Sequence, residues 1–207
     1  MIKQQDTFEQ LTRFRQSMYR VFAAAFLPPG PERFANLITD CMPLESAELG
    51  YLATYQKWHT WRKVLLHIDD AVESDVGYLR VFSAGMSGAV KPPLGHSYNI
   101  DPVRGDVGET LLDLARLYDE IRLEPTGAMS DALDHVSMEL EIMSVLCARE
   151  AVVRTEGDDR RLGATLSSQV AFLDRHLATW LPQFVNQITR MDSIPFYTAL
   201  GPAVASF

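Results

Sequence analysis

The chain has 207 residues, 47% of them hydrophobic and 22% charged, with a formal net charge of −8. These are globular values, and a chain of this length buries about 70% of its unfolded surface; they exclude disorder, collagen-like repeats and the basic footprint of a general nucleic-acid binder. The two cysteines, Cys41 and Cys147, lie far apart and outside any ligand-spaced pair, which excludes a disulfide framework or zinc ribbon and fits a reducing cytoplasm.

Prolines punctuate the chain at 28, 29, 31 and 43, at 92, 93 and 102, and at 125, 182, 195 and 202. Between them apolar residues recur at spacings of three and four, the helical period. Residues 5–27 are predicted as a helix with Phe8, Leu11, Phe14, Met18, Phe22 and Phe26 on one stripe. A helix over 31–40 starts on a proline suited to the first helical position, and further helices are predicted over 44–69, 72–84 and 106–122. For 130–154, Ser130 or Asp131 can cap, and Val136, Leu140, Met143 and Cys147 follow at helical spacing. Residues 161–190 read as helix, bent near Pro182, and a short helix covers 195–200. No alternating apolar run stands between hairpin turns, so the expected fold is all-α, with about eight to ten helices in a single compact domain. Its N-terminal half is placed at about 1–84, a loop at about 85–108 and its C-terminal half at about 109–207. The loop holds five of the twelve glycines and three prolines, and a loop this long in a helical chain is often functional. The apolar run from Val21 stops at Pro28-Pro29, and the first residues are charged and amphipathic; neither integral membrane association nor a secretory leader is expected.

Catalytic motifs are sparse. His135 and Glu139 are four apart and share a helix face; with Asp134 they form the one candidate metal set. HExxH is absent, however, and no second histidine stands at ligand spacing. The plainer reading is that Asp134 faces the positive end of its helix, while His135 and Glu139 hydrogen-bond a neighbouring loop. Gly85-Met86-Ser87-Gly88 lacks the lysine of a phosphate-binding loop. No metal and no cofactor are expected.

Charge is more informative. Residues 101–141 carry eleven carboxylates and three arginines, a net −8 that equals the whole chain's, and the remaining 166 residues balance. A local negative field attracts a cationic partner. Beside it, Lys91-Pro92-Pro93-Leu94-Gly95-His96-Ser97-Tyr98 offers stiff apolar surface at low entropic cost. An acidic patch next to an apolar groove suits a peptide in which basic residues precede a hydrophobic helix.

Tyr78-Leu79-Arg80-Val81-Phe82, then Pro92-Pro93-Leu94-Gly95-His96-Ser97-Tyr98, then Asp134-His135 with Glu139-Leu140-Glu141 and Met143, in that order, resemble the TorD/DmsD family of cytoplasmic, all-helical chaperones for molybdenum enzymes. The closing segment with Phe172, Trp180, Pro182, Phe184, Phe196 and Tyr197 is also similar to the family's last helices. Three departures stand out: Leu94 where many members carry tryptophan, Gly77 where an acid commonly precedes the tyrosine, and His96, which lengthens the loop by one residue. The resemblance implies a chaperone, not an enzyme, that binds the catalytic subunit of a molybdopterin oxidoreductase and its twin-arginine signal peptide. It would assist cofactor insertion and delay export, as a monomer or a domain-swapped dimer. Phe82, Pro92, Pro93, Leu94, Gly95, Ser97 and Tyr98 would line the peptide groove. Asp134, His135 and Glu139 would form its polar end, where carboxylates pair with arginines. Tyr78, Arg80, Leu140 and Met143 would be structural, Arg80 tying helices through a carboxylate. The alternatives are a helical metal-dependent hydrolase using Asp134, His135 and Glu139, or a non-catalytic helical scaffold or regulator.

Overall fold

The computed structural model describes residues 2–28, 30, 32–41, 50, 52–68, 71–82, 95–96, 106–124, 132–190 and 195–207. Among these the chain is all-helical, with one isolated antiparallel bridge between Gly95 and His135 and no strand. The helices are α1 (Ile2–Ala25), α2 (Arg33–Cys41), α3 (Ala53–Leu66), α4 (Ala71–Phe82), α5 (Val107–Ile121), α6 (Val136–Glu156), α7 (Asp159–Phe172), α8 (Ala178–Arg190) and α9 (Pro195–Ala205). A single π-helical turn, Leu173–Leu177, joins α7 to α8. No described helix is long and apolar enough to cross a membrane.

Local chemistry sets the helix ends. The Asp106 carboxylate accepts from the backbone N–H groups of Gly108 and Glu109 and starts α5, and Asp158 accepts from Arg161 N–H at 2.9 Å and starts α7. The predicted start at 161 therefore lies two residues late. For α6 the expected caps Ser130 and Asp131 lie outside the described residues, and the cap is His135, whose Nδ1 accepts from Ser137 N–H at 3.1 Å. Gly157 ends α6 at φ 70°, a conformation glycine adopts without strain. Arg122 takes the same left-handed region after α5. The irregularity foreseen at Pro182 is placed earlier: the π turn widens the helix at 173–177, and α8 runs on through Pro182.

The chain forms two compact units, each built from two stretches. The first comprises 1–23 and 94–180. At its centre is α6, buried on most faces through Val136, Leu140, Ile142, Met143, Leu146, Cys147 and Val153. In α1 the stripe through Phe14, Met18 and Phe22 is buried, but Phe8 is exposed and lies under the Arg154 guanidinium at 5.5 Å. Polar contacts join three helices around one carboxylate. Glu150 of α6 accepts from Thr12 (2.7 Å) and Arg15 (3.2 Å) of α1, Gln169 (2.9 Å) of α7 and its helical neighbour Arg154 (2.8 Å). Burial by itself raises the Glu150 pKa; the bonds from Gln169, Thr12 and Arg154 and the charge of Arg15 outweigh it, and the net shift is downward.

The second unit comprises 24–93 and 181–207. Trp58, Trp61 and Leu65 of α3 are buried with Phe196, Tyr197 and Leu200 of α9, and Trp61 meets Phe196 at 5.5 Å. Arg33 is buried, donates to Ala25 O (2.7 Å) and Tyr197 Oη (2.9 Å), and faces the Asp75 carboxylate at 3.5 Å. Gly201 marks a close helix approach: a Cβ there would stand 2.5 Å from Thr189 Oγ1 of α8. Both cysteines are buried free thiols, Cys147 in the first unit and Cys41 in the second.

Candidate functional site

In the first unit the N-terminal end of α6 organises a buried polar cluster. Glu139 has no exposed surface. Its Oε1 lies 2.8 Å from His96 Nδ1, and its Oε2 accepts from Trp180 Nε1 at 3.1 Å. The His96 ring stacks on the Trp180 indole at 5.4 Å, and His96 N–H donates to Asp134 O at 2.8 Å. The short segment Gly95–His96 is thus clipped to the start of α6 by a backbone bridge, a ring stack and a buried carboxylate. The expectation that Glu139 bonds a neighbouring loop is realised in this contact. His135 instead caps its own helix.

Thr179 Oγ1 lies 3.1 Å from His96 Nε2 and donates to the His176 carbonyl at 2.6 Å. Hydroxyl, imidazole and carboxylate in this order have the connectivity of a nucleophile triad. The hydroxyl hydrogen, however, is committed to the shorter bond, so the hydroxyl is not set up as a nucleophile activated by His96. His176 lies on the π turn, with its Nε2 3.4 Å from Asp113 Oδ2 of α5. Burial lowers its pKa to about 4, against the opposing pull of Asp113, so the ring is neutral near neutral pH. Burial also lowers His135 to about 4 and raises Glu139, the latter opposed by its bonds to His96 and Trp180.

Of the residues named from sequence, Asp134, His135, Glu139 and Gly95 come together here, and Asp134 and His135 are nearly buried. Glu139 is fully buried and presents no carboxylate surface in this conformation. Leu140 and Met143 are core residues of α6. Pro92, Pro93, Leu94, Ser97 and Tyr98, with most of the 85–108 loop, lie outside the described residues. Phe82 and Tyr78 lie in the second unit. Phe82 is half-buried and its ring meets Tyr78, Tyr197 and Phe184 at 5.1, 5.3 and 6.2 Å. Arg80 is exposed in the last turn of α4, where it suits the carbonyl end of the helix. The hydrolase set Asp134, His135 and Glu139 does not converge as ligands; the donors brought together are those of His96, Glu139 and His176. Sequence reasoning missed His96 and His176, which are 43 and 37 positions from Glu139 and share no local period with it. Among the described residues, the exposed carboxylates of the acidic segment lie on and beside α5, at Asp106, Glu109, Asp119, Glu120 and Glu124.

Residues 51–186 match the model of a family described as nitrate reductase delta subunit. The chain belongs to this family of TorD-like chaperones. It is 29% identical over 77% of its length, and 84% of the relative's, to the selenate reductase assembly chaperone protein of Thauera selenatis. It is 28% identical over 75% of its length, and 82% of the relative's, to the chlorate reductase assembly chaperone protein of Ideonella dechloratans. A shorter match, 28% identical over 46% of this chain and 43% of the relative, is to the chaperone protein TorD of Photobacterium profundum. These relatives are named as chaperones, not catalysts, in agreement with the expectation of a non-enzyme.

Proposed function

We propose that the chain is a dedicated maturation chaperone for the catalytic subunit of a molybdopterin oxidoreductase. It binds the client's twin-arginine signal peptide in the cytoplasm, holds the apoenzyme until its cofactor is inserted, and so delays export. The observation that carries this reading is the family match over 51–186, joined to relatives named as assembly chaperones of selenate and chlorate reductases. The exposed carboxylates of α5 support it, since they give a cationic leader a negative surface to approach. For the leader's hydrophobic helix the sequence offers the apolar residues Phe82, Pro92, Pro93, Leu94 and Tyr98. Asp134 and His135 serve the polar end. Glu139 acts one step removed, by holding Gly95 and His96 in place.

Burying about 400 Å² of apolar helix face yields on the order of 10 kcal/mol, much of it offset by ordering the peptide. The net is an affinity of about micromolar, suited to a reversible handover. Titration calorimetry with a synthetic leader carrying Arg-Arg before an apolar helix tests this. Binding is expected, weaker at high salt, weaker again in the combined Glu109→Gln, Asp119→Asn, Glu120→Gln variant and in Asp134→Asn, with helical content unchanged. Failure to bind any such leader overturns the reading, and affinity indifferent to salt and to all these substitutions removes the assigned surface.

A further inference from the structure

The His96, Glu139 and His176 cluster does more than the chaperone reading asks of it. One donor atom from each lies within 4.8 Å of the others, and all three residues are buried. Each of the three also has an outer partner that engages one of its two polar ends. Thr179 engages His96 Nε2, Trp180 engages Glu139 Oε2, and Asp113 faces His176 Nε2. Of the inner ends, His96 Nδ1 and Glu139 Oε1 face each other at 2.8 Å, and His176 Nδ1 stands beside them. His176 Nδ1 is buried without a hydrogen-bond partner in a side chain only 5% exposed. An orphaned buried acceptor is costly unless something fills its site. Imidazoles and a carboxylate, each oriented by a hydrogen bond to its far end, are the arrangement that metal ligands show.

His96 Nδ1 and Glu139 Oε1 stand 2.8 Å apart, close enough to serve one small cation together with a nitrogen of His176. His176 also lines an open cleft of about 340 Å³ bordered by Asp113, Arg116 and Glu120 of α5 and by Phe172 and Arg175.

We propose that His96, Glu139 and His176 bind one divalent transition-metal ion of the zinc class, through two imidazole nitrogens and one carboxylate oxygen. Two histidines and one carboxylate make a common zinc donor set with a coordination position left open. The ion pins the Gly95–His96 segment to α6 and to the π turn. This inference is independent of what peptide the chain binds.

The test is zinc titration of the full chain, followed by calorimetry and thermal unfolding, with cobalt as a spectroscopic probe. The expected result is one zinc per chain, a thermal midpoint that rises with zinc and returns on chelation, and visible ligand-field absorption from cobalt. His96→Phe, which keeps a ring against Trp180, and His176→Ala, which removes the orphaned atom, are each expected to lose the bound ion while remaining helical. Asp113→Asn is expected to weaken binding about tenfold by releasing the ring of His176, and His67→Ala, on the exposed end of α3, to leave it unchanged. A chain that takes up no zinc, or variants His96→Phe and His176→Ala that keep full stoichiometry and the same thermal shift, overturns the assignment.

Discussion

Replacing Glu150 tests whether the first unit is held together by a carboxylate as much as by its apolar core. The Glu150 side chain has no exposed surface and accepts from two guanidiniums, a hydroxyl and an amide, from α1, α6 and α7. In Glu150→Ala the loss is uneven. Thr12 keeps its bond to Phe8 O and Gln169 its bond to Leu146 O, so neither is left bare. Arg15 and Arg154 are about a quarter exposed and regain part of their hydration. Discounted for that exposure, the two charge-assisted bonds count about 1 kcal/mol each, and the two neutral donors to a carboxylate about as much again. The sum is about 4 kcal/mol, in the range for breaking a buried ion pair from one side. Glu150→Gln keeps one carbonyl oxygen for two of the four donors and is expected to cost about half of that. Because the folded pKa of Glu150 is depressed, its stabilisation is complete above the unfolded carboxyl value of about 4.3 and is lost as pH falls through the folded value. Urea unfolding followed by circular dichroism should therefore show a gap between wild type and Glu150→Gln near pH 7 that closes on acidification below the ordinary carboxyl range. Variants within about 1 kcal/mol of wild type, or a gap that ignores pH, would refute the reasoning.

Two further outcomes follow from single contacts. Gly201→Ala places a methyl 2.5 Å from Thr189 Oγ1; the overpacking should exceed the helix-propensity gain of about 1 kcal/mol, lowering the thermal midpoint, and Thr189→Ala in the same chain should restore most of it. Asp106→Ala removes the acceptor for Gly108 and Glu109 and should cost about 1 kcal/mol in the same assay, with faster amide exchange confined to the first turn of α5.

Helix existence was legible because burial imposes a period on the chain, and the stretches between prolines carry that period throughout. Helix starts were legible only where the capping residue is an ordinary one and sits where the apolar pattern begins. Asp106 meets both conditions. At α6 the apolar pattern reaches back past the true start, and the cap is an imidazole, which works only because burial keeps His135 neutral and its Nδ1 free to accept. Phe8 continues the α1 stripe by spacing yet stays exposed, since periodicity tells which face a residue is on and not how far along the helix the neighbours extend. The cluster around Glu139 was half legible. His135 and Glu139 drew notice through their spacing of four, but the actual partners arrive from a short segment and from a π turn. That turn inserts a residue into the helical register, so no helical template applied to the sequence aligns His176 with Glu139. His96 was visible only as a departure, the residue by which its loop exceeds the family's pattern.

Helix α6 buries two glutamates eleven residues apart, about three helical turns, and their pKa values move in opposite directions. Burial is common to both, so the difference comes from their partners. Glu150 meets two permanent cations and two neutral donors, which fix it as an anion and leave its oxygens fully engaged. Glu139 meets an indole and an imidazole, neither of which carries a permanent charge. A carboxylate held by cations closes a structure, since no competitor offers it more. One held by neutral donors retains an unmet demand for positive charge, and a centre that supplies that charge binds there with least disturbance to the surrounding packing. The sequence presents the two residues as equivalent glutamates on one helix; their neighbours make Glu150 a fastener and Glu139 the receptive one.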